Sequence, residues 1–154
     1  MTGSTKHIPE GYHSVTPYLY MNDAARAIEF YKQVFGATEI MRMDAPGGKI
    51  GHAEIKIGDS HVMLGDECED ADARSPQTIG GSPVGLLLYV EDVDAVVERA
   101  LAAGAKLLEP LEDKFYGDRM GKIVDPSGHI WAVATHKEDV SPEEMEKRVA
   151  AFHA

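Results

Sequence analysis

The sequence predicts an α+β fold made of two βαβββ modules followed by a C-terminal helix. Three observations carry this. Val15-x-x-x-Leu19-Tyr20-x-x-Asp23 returns as Val84-x-x-x-Leu88-Tyr89-x-x-Asp92, at an offset of 69 residues. Each copy leads into a helical pattern that stops at a glycine, Gly36 and Gly104, and then into three strand-like segments. A repeat of this length present only twice describes a duplicated module, not a solenoid.

Taken in order, residues 1–11 are a polar lead-in without the apolar core of a signal peptide. Val15–Met21 is β-branched and aromatic, a strand whose Pro17 lacks an N–H for pairing. Asn22 or Asp23 caps a helix over 24–35, with Ile28, Tyr31 and Phe35 on its buried side and Gly36 at its end. Thr38–Met43 is a strand and Pro46-Gly47-Gly48 a turn. In Ile50–Ile57, Ala53, Ile55 and Ile57 alternate with His52, Glu54 and Lys56. Gly58-Asp59 is a two-residue hairpin signal that sets Lys56 opposite His61 and Glu54 opposite Met63. Paired residues share a face, so His52, Glu54, Lys56, His61 and Met63 project together.

Residues 66–72 carry five acids and no base, and with the following Ser, Pro and Gly residues they read as a linker. The second module supplies strands over 106–111, 116–124 and 129–135, with a Pro126-Ser127-Gly128 turn. The predicted domain is 13–137, in halves 13–66 and 84–137 joined by the acidic linker 67–83. Residues 138–154 form the last helix. There Ser141-Pro142-Glu143-Glu144 is a capping box, and Met145, Val149 and Phe152 make an apolar stripe facing the chain itself or a partner subunit.

A chain of 154 residues fits one compact domain. A net charge of −11 argues against nucleic-acid binding, which needs a basic surface. No apolar run reaches the ~20 residues of a membrane span, so a cytoplasmic protein is expected. The single Cys68 excludes an internal disulfide framework, and its acidic neighbours oppose a thiolate.

Asp23-(x)₇-Tyr31-(x)₄-Gly36 and Asp125-Pro126-Ser127-Gly128-His129-x-Trp131 are the motifs by which the chain resembles the vicinal oxygen chelate superfamily. That superfamily holds glyoxalase I, bleomycin-resistance proteins, fosfomycin-resistance enzymes and extradiol dioxygenases. The resemblance covers roughly residues 13–136. Thr16-Pro17-Tyr18-Leu19, Ile28-Glu29-Phe30-Tyr31, His52-Ala53-Glu54 and Tyr116-Gly117-Asp118-Arg119 are similar to its PhnB-like branch. The resemblance implies a glyoxalase/bleomycin-resistance fold, in which the modules form a curled mixed sheet, a cup with helices outside. It also implies a homodimer.

Metal-using members place His and Glu ligands on the first and a late strand of each module. Counted from the motifs, those positions are Thr16, Gly85, Ala132 and, less directly, Met63. None suits zinc, nickel or iron, so the usual metal site is expected to be absent. A displaced site built from His52, Glu54 and His61 is the alternative.

Strand parity lines the cup with Thr16, Tyr18, Tyr20, Gly85, Leu87, Tyr89, Ile130, Ala132 and Ala134, besides the hairpin residues. Ligand-binding candidates are thus Tyr18, Tyr20, Lys56, His61, Met63, Leu87 and Tyr89, with Arg119 and Lys122 at the rim. His52 and Glu54 are the acid–base pair if chemistry occurs, and otherwise a structural pair. Trp131 is expected in the core and His129 in its turn.

Three functional readings are open. The first is a metal-free small-molecule binder of the bleomycin-resistance type, its ligand held in a dimer cup. The second is a lyase, isomerase or dioxygenase using a displaced metal or the His52/Glu54 pair. The third is a structural or regulatory dimer with a degenerate pocket.

Overall fold

The structure is a computed structural model and describes residues 3–154; Met1 and Thr2 of the lead-in lie outside the described residues. It divides into two units, 1–80 and 81–154. Each carries one four-stranded mixed sheet and one long helix packed on it, which is the predicted α+β duplication.

In the first unit, β1 (Tyr18–Met21), α1 (Ala24–Phe35), β2 (Thr38–Ala45), β3 (Lys49–Ile57) and β4 (Ser60–Asp66) come in that order, and the sheet runs β1-β4-β3-β2. β1 pairs with β4 in parallel and the other pairs are antiparallel. The first strand is shorter than expected. Val15 is 85% exposed and pairing begins only at Tyr18. Pro17 has no N–H to give, although its carbonyl still accepts from the Met63 N–H at 3.0 Å.

α1 has the predicted bounds. The Asp23 carboxylate accepts from the Arg26 N–H, and Gly36 ends the helix at φ 68°. Ala24, Ala27, Ile28, Tyr31 and Val34 meet Leu19, Met21, Ala53, Ile55, Val62 and Leu64 in the core. The hairpin register is the predicted one: Lys56 opposite His61, Ile55 opposite Val62 and Glu54 opposite Met63.

The 67–83 segment is more ordered than a linker. Cys68 and Ala73 form a β-bridge, and Ser75 caps a single helical turn, α2 (Pro76–Ile79). The Glu67 carboxylate accepts from the Ser75 N–H and the Thr78 hydroxyl, which holds it below the usual carboxylate range. Asp66 accepts from the N–H groups of Ala24 and Ile50 at 2.8 and 2.7 Å, tying the start of α1 to β3. Two of the five acids in the run are therefore internal braces.

The second unit repeats the plan with β5 (Gly85–Tyr89), α3 (Val93–Ala102), β6 (Lys106–Asp113), β7 (Asp118–Val124) and β8 (Ile130–His136), in sheet order β5-β8-β7-β6. Its β7–β8 turn is built on Asp125. One carboxylate oxygen accepts from the N–H groups of Ser127 and His129, and the other from the Trp131 indole at 2.9 Å. That explains both the motif and the buried Trp131.

α4 (Pro142–Phe152) starts at the Ser141 cap. It is held by Arg148, which donates to the Phe115 carbonyl and pairs with Glu138 and Glu144, and by Phe152 against Phe115. No helix among the described residues is long and apolar enough to cross a membrane.

Candidate functional site

Each sheet has one face closed by its helix and one face without a helix. On the first unit, period-two alternation assigns side chains to the open face. Tyr18 and Tyr20 come from β1, Met63 and His61 from β4, and His52, Glu54 and Lys56 from β3. The pairing of Met41 with Glu54 and of Met43 with His52 adds two methionines from β2. Tyr18 and Tyr20 are 37% and 39% exposed, with ring centroids 5.1 Å apart.

A chain of polar contacts crosses this face. The Tyr18 hydroxyl lies 2.8 Å from His52 Nδ1, and His52 Nε2 lies 3.0 Å from Glu54 Oε2. A carboxylate only accepts, so Nε2 carries a hydrogen and donates to Glu54, while Nδ1 faces the Tyr18 hydroxyl, which can donate or accept. The other oxygen of Glu54 accepts from the Tyr12 hydroxyl. Tyr12 and, secondarily, His52 hold Glu54 below the usual carboxylate range. Burial and the Glu54 contact push the Tyr12 phenol up to about 12, and burial raises Tyr18 as well. This is an ionised acceptor locked between two donors, with both phenols kept protonated at neutral pH.

Tyr12 is the residue that reading the sequence misses. It sits in the polar lead-in, in a turn closed by its own N–H to the Pro9 carbonyl at 3.0 Å. Its ring stacks on His61, with centroids 4.2 Å apart and planes 25° apart. Sequence reading also misses Met41 and Met43, because two register shifts in the β2–β3 ladder hide the pairing that sets their face.

The second unit's open face carries Leu87 and Tyr89, 52% and 57% exposed, with Lys122 and Met120. Tyr89 donates to Asp118 at 2.8 Å. Asp118 in turn contacts His136 Nδ1 at 2.7 Å, and His136 Nε2 lies 2.7 Å from Asp139. Two carboxylates on one imidazole require a hydrogen on each nitrogen, and they raise the His136 pKa. The Tyr116-Gly117-Asp118-Arg119 segment is a faint sequence signal for this cluster, but the register that brings His136 to Asp118 comes from the sheet.

One rim candidate, Arg119, lies elsewhere than expected, and other cup positions are already engaged or filled. Arg119 and Lys122 are an odd number of residues apart on one strand and cannot share a face. Arg119 points to the helix side, where Asp94 of α3 takes it in a fork of two 2.9 Å contacts and Asp113 adds a third. Lys122 is paired with Glu109 at 3.1 Å. Ala132 and Ala134, expected to line a cavity, are buried with Met120 beneath Tyr116. Small side chains leave room that the neighbouring large ones fill.

For a divalent ion, Thr16, Met63, Gly85 and Ala132 offer one hydroxyl, one thioether and no imidazole or carboxylate. This donor set does not fit an ion held by His and Glu. Of the displaced trio, His52 and Glu54 are bonded to each other and His61 is stacked with Tyr12. Among the described residues no group of three or more His, Cys, Asp or Glu side chains is placed to hold a metal.

The family model for the Glyoxalase/Bleomycin resistance protein/Dioxygenase superfamily matches residues 11–133. An uncharacterized protein of Mycobacterium bovis is 38% identical over 141 residues, spanning 90% of this chain and 93% of its own. The crystal structure of TioX from Micromonospora sp. ML1 superposes with a TM-score of 0.63 at 30% identity, covering 80% of this chain and 98% of that one. A PhnB protein from Bacillus cereus shares the fold with a TM-score of 0.63 at 18% identity, covering 80% and 99% of the two chains.

Proposed function

We propose a function from one premise: the chain belongs to the Glyoxalase/Bleomycin resistance protein/Dioxygenase superfamily. On that footing it is a small-molecule binding protein that works as a homodimer and without the superfamily's metal. Its ligand is a small aromatic molecule that lies on the open face of the first sheet.

The observation that carries this is the pair of half-open rings, Tyr18 and Tyr20. Exposed aromatic surface on an otherwise satisfied sheet face is a stacking platform. Met41, Met43 and Met63 around it supply soft, adaptable apolar contact. The engagement of Arg119 by Asp94 and of Lys122 by Glu109 disfavours an anionic ligand as the main class. Exposed Leu87 and Tyr89 are apolar surface that a second copy would cover.

The test begins with metal content. Protein purified without chelator should contain far less than one transition metal per chain. A thermal-shift screen of neutral and cationic aromatic compounds should then find stabilisers, and Tyr20→Ala should abolish the response. Stoichiometric metal that is lost in His52→Ala would defeat this reading.

A second reading is favoured by one feature, the imidazole of His52 held between a phenol and a carboxylate. In that reading His52 and Glu54 move a proton on the bound ligand. It requires turnover that disappears in His52→Ala while binding persists.

A further inference from the structure

The side chain of Tyr12 does on this face what a ligand would do. Its ring stacks on His61 and its hydroxyl donates to the Glu54 carboxylate. We infer that the Tyr12 position is a subsite for a protonated hydroxyarene, a ring that stacks on His61 and donates to Glu54, and that the chain's own N-terminal arm occludes it. This rests on the aromatic-binding reading above and names the ligand class for it.

Three features of the arm support displacement. First, residues 3–17 lie in no helix or strand, and the Tyr12 turn is closed by a hydrogen bond within the arm itself, Tyr12 N–H to the Pro9 carbonyl. Second, Gly11 takes φ +83°, and a Cβ there would lie 3.2 Å from the His61 ring. At this φ any other residue would be strained, and its Cβ would crowd the ring. Third, closure leaves His61 Nδ1 buried without a hydrogen-bond partner. A buried ring nitrogen without a partner is a cost of the closed form that is relieved when the arm lifts. By contrast, the groups beneath the arm are prearranged. Glu54 is fixed by His52, which is fixed by Tyr18, so the acceptor stays in place when Tyr12 leaves.

The chemistry sets the specificity. Glu54 is held as a carboxylate, so the incoming group must donate. A phenol qualifies, a phenolate is repelled, and a bare arene leaves the carboxylate without its second donor. The arm lowers apparent affinity by the fraction of time it is open.

The experiment uses the full chain and p-cresol, the tyrosine side chain as a free molecule, with binding followed by calorimetry. Tyr12→Ala should bind p-cresol about tenfold more tightly than the unmodified chain does. Toluene should bind that variant at least about tenfold more weakly than p-cresol, and adding Glu54→Ala, which removes the acceptor, should remove the preference. Tyr12→Phe, which keeps the ring and loses the donor, should fall between the unmodified chain and Tyr12→Ala. That series decides the matter even if Tyr12→Ala folds poorly.

Equal affinity across the Tyr12 series overturns the inference, as does equal binding of p-cresol and toluene. If p-cresol binding ignores Tyr12 but is lost in Tyr20→Ala, the subsite falls while the broader aromatic-binding reading stands. If neither residue matters, both fall.

Discussion

Replacing Glu54 with alanine removes the hub of the first sheet's open face. The carboxylate accepts from Tyr12 and from His52. Hydrogen bonds to a charged group contribute about 1.5–3 kcal/mol each when buried. The Glu54 side chain keeps 19% of its exposure, so water replaces part of that. The expected cost of Glu54→Ala is therefore about 2 kcal/mol rather than twice that. For a chain of this length that lowers Tm by about 4–8 °C. Urea unfolding at pH 7 should show the midpoint falling with the slope unchanged.

The pH dependence gives the sharper check. Glu54 titrates lower in the folded chain than in the unfolded one. Its contribution is complete above the ordinary glutamate value of about 4.3 and is lost as pH falls through the lower folded value. The gap between Glu54→Ala and the unmodified chain should thus be full at pH 7 and should close in strong acid. Glu54→Gln still accepts from Tyr12 but turns an amide N–H toward His52, so it should cost about half as much. A Glu54→Ala chain within about 0.5 kcal/mol of the original at pH 7 would refute the hub reasoning. So would a gap that does not depend on pH.

Three further outcomes are expected. Asp125→Ala strands three donors, the N–H groups of Ser127 and His129 and the Trp131 indole, and should cost about 3–4 kcal/mol by urea unfolding. By proton NMR, His136 should titrate above an ordinary histidine, and Asp118→Asn should bring it down. Its stabilising effect is in place below the unfolded value of about 6.5 and fades as pH rises through the higher folded one. Gly117→Ala should fail differently: at φ +103° an added Cβ runs into the Glu138 carbonyl. Hydrogen exchange should then speed up at the Lys137 and Glu138 amides, which donate to the Gly117 carbonyl at 2.8 and 3.1 Å.

The amino-acid sequence by itself determined the features that rest on short-range periodicity and turn chemistry. The duplicated βαβββ order, the bounds of α1 and the caps at Asp23 and Ser141 all depend on residues within a few positions of one another. So does the β3–β4 register, because a two-residue Gly58-Asp59 turn leaves the strands one pairing and thereby groups His52, Glu54, His61 and Met63. Tertiary structure decided whatever depends on partners distant in the chain. Tyr12 reaches Glu54 across 42 residues, and Arg119 reaches Asp94 across 25. No local pattern distinguishes a tyrosine in a polar lead-in from one that closes over a sheet, or an arginine free to bind from one already held. Those outcomes depend on which face a strand turns and what folds back onto it, and only long-range packing settles that.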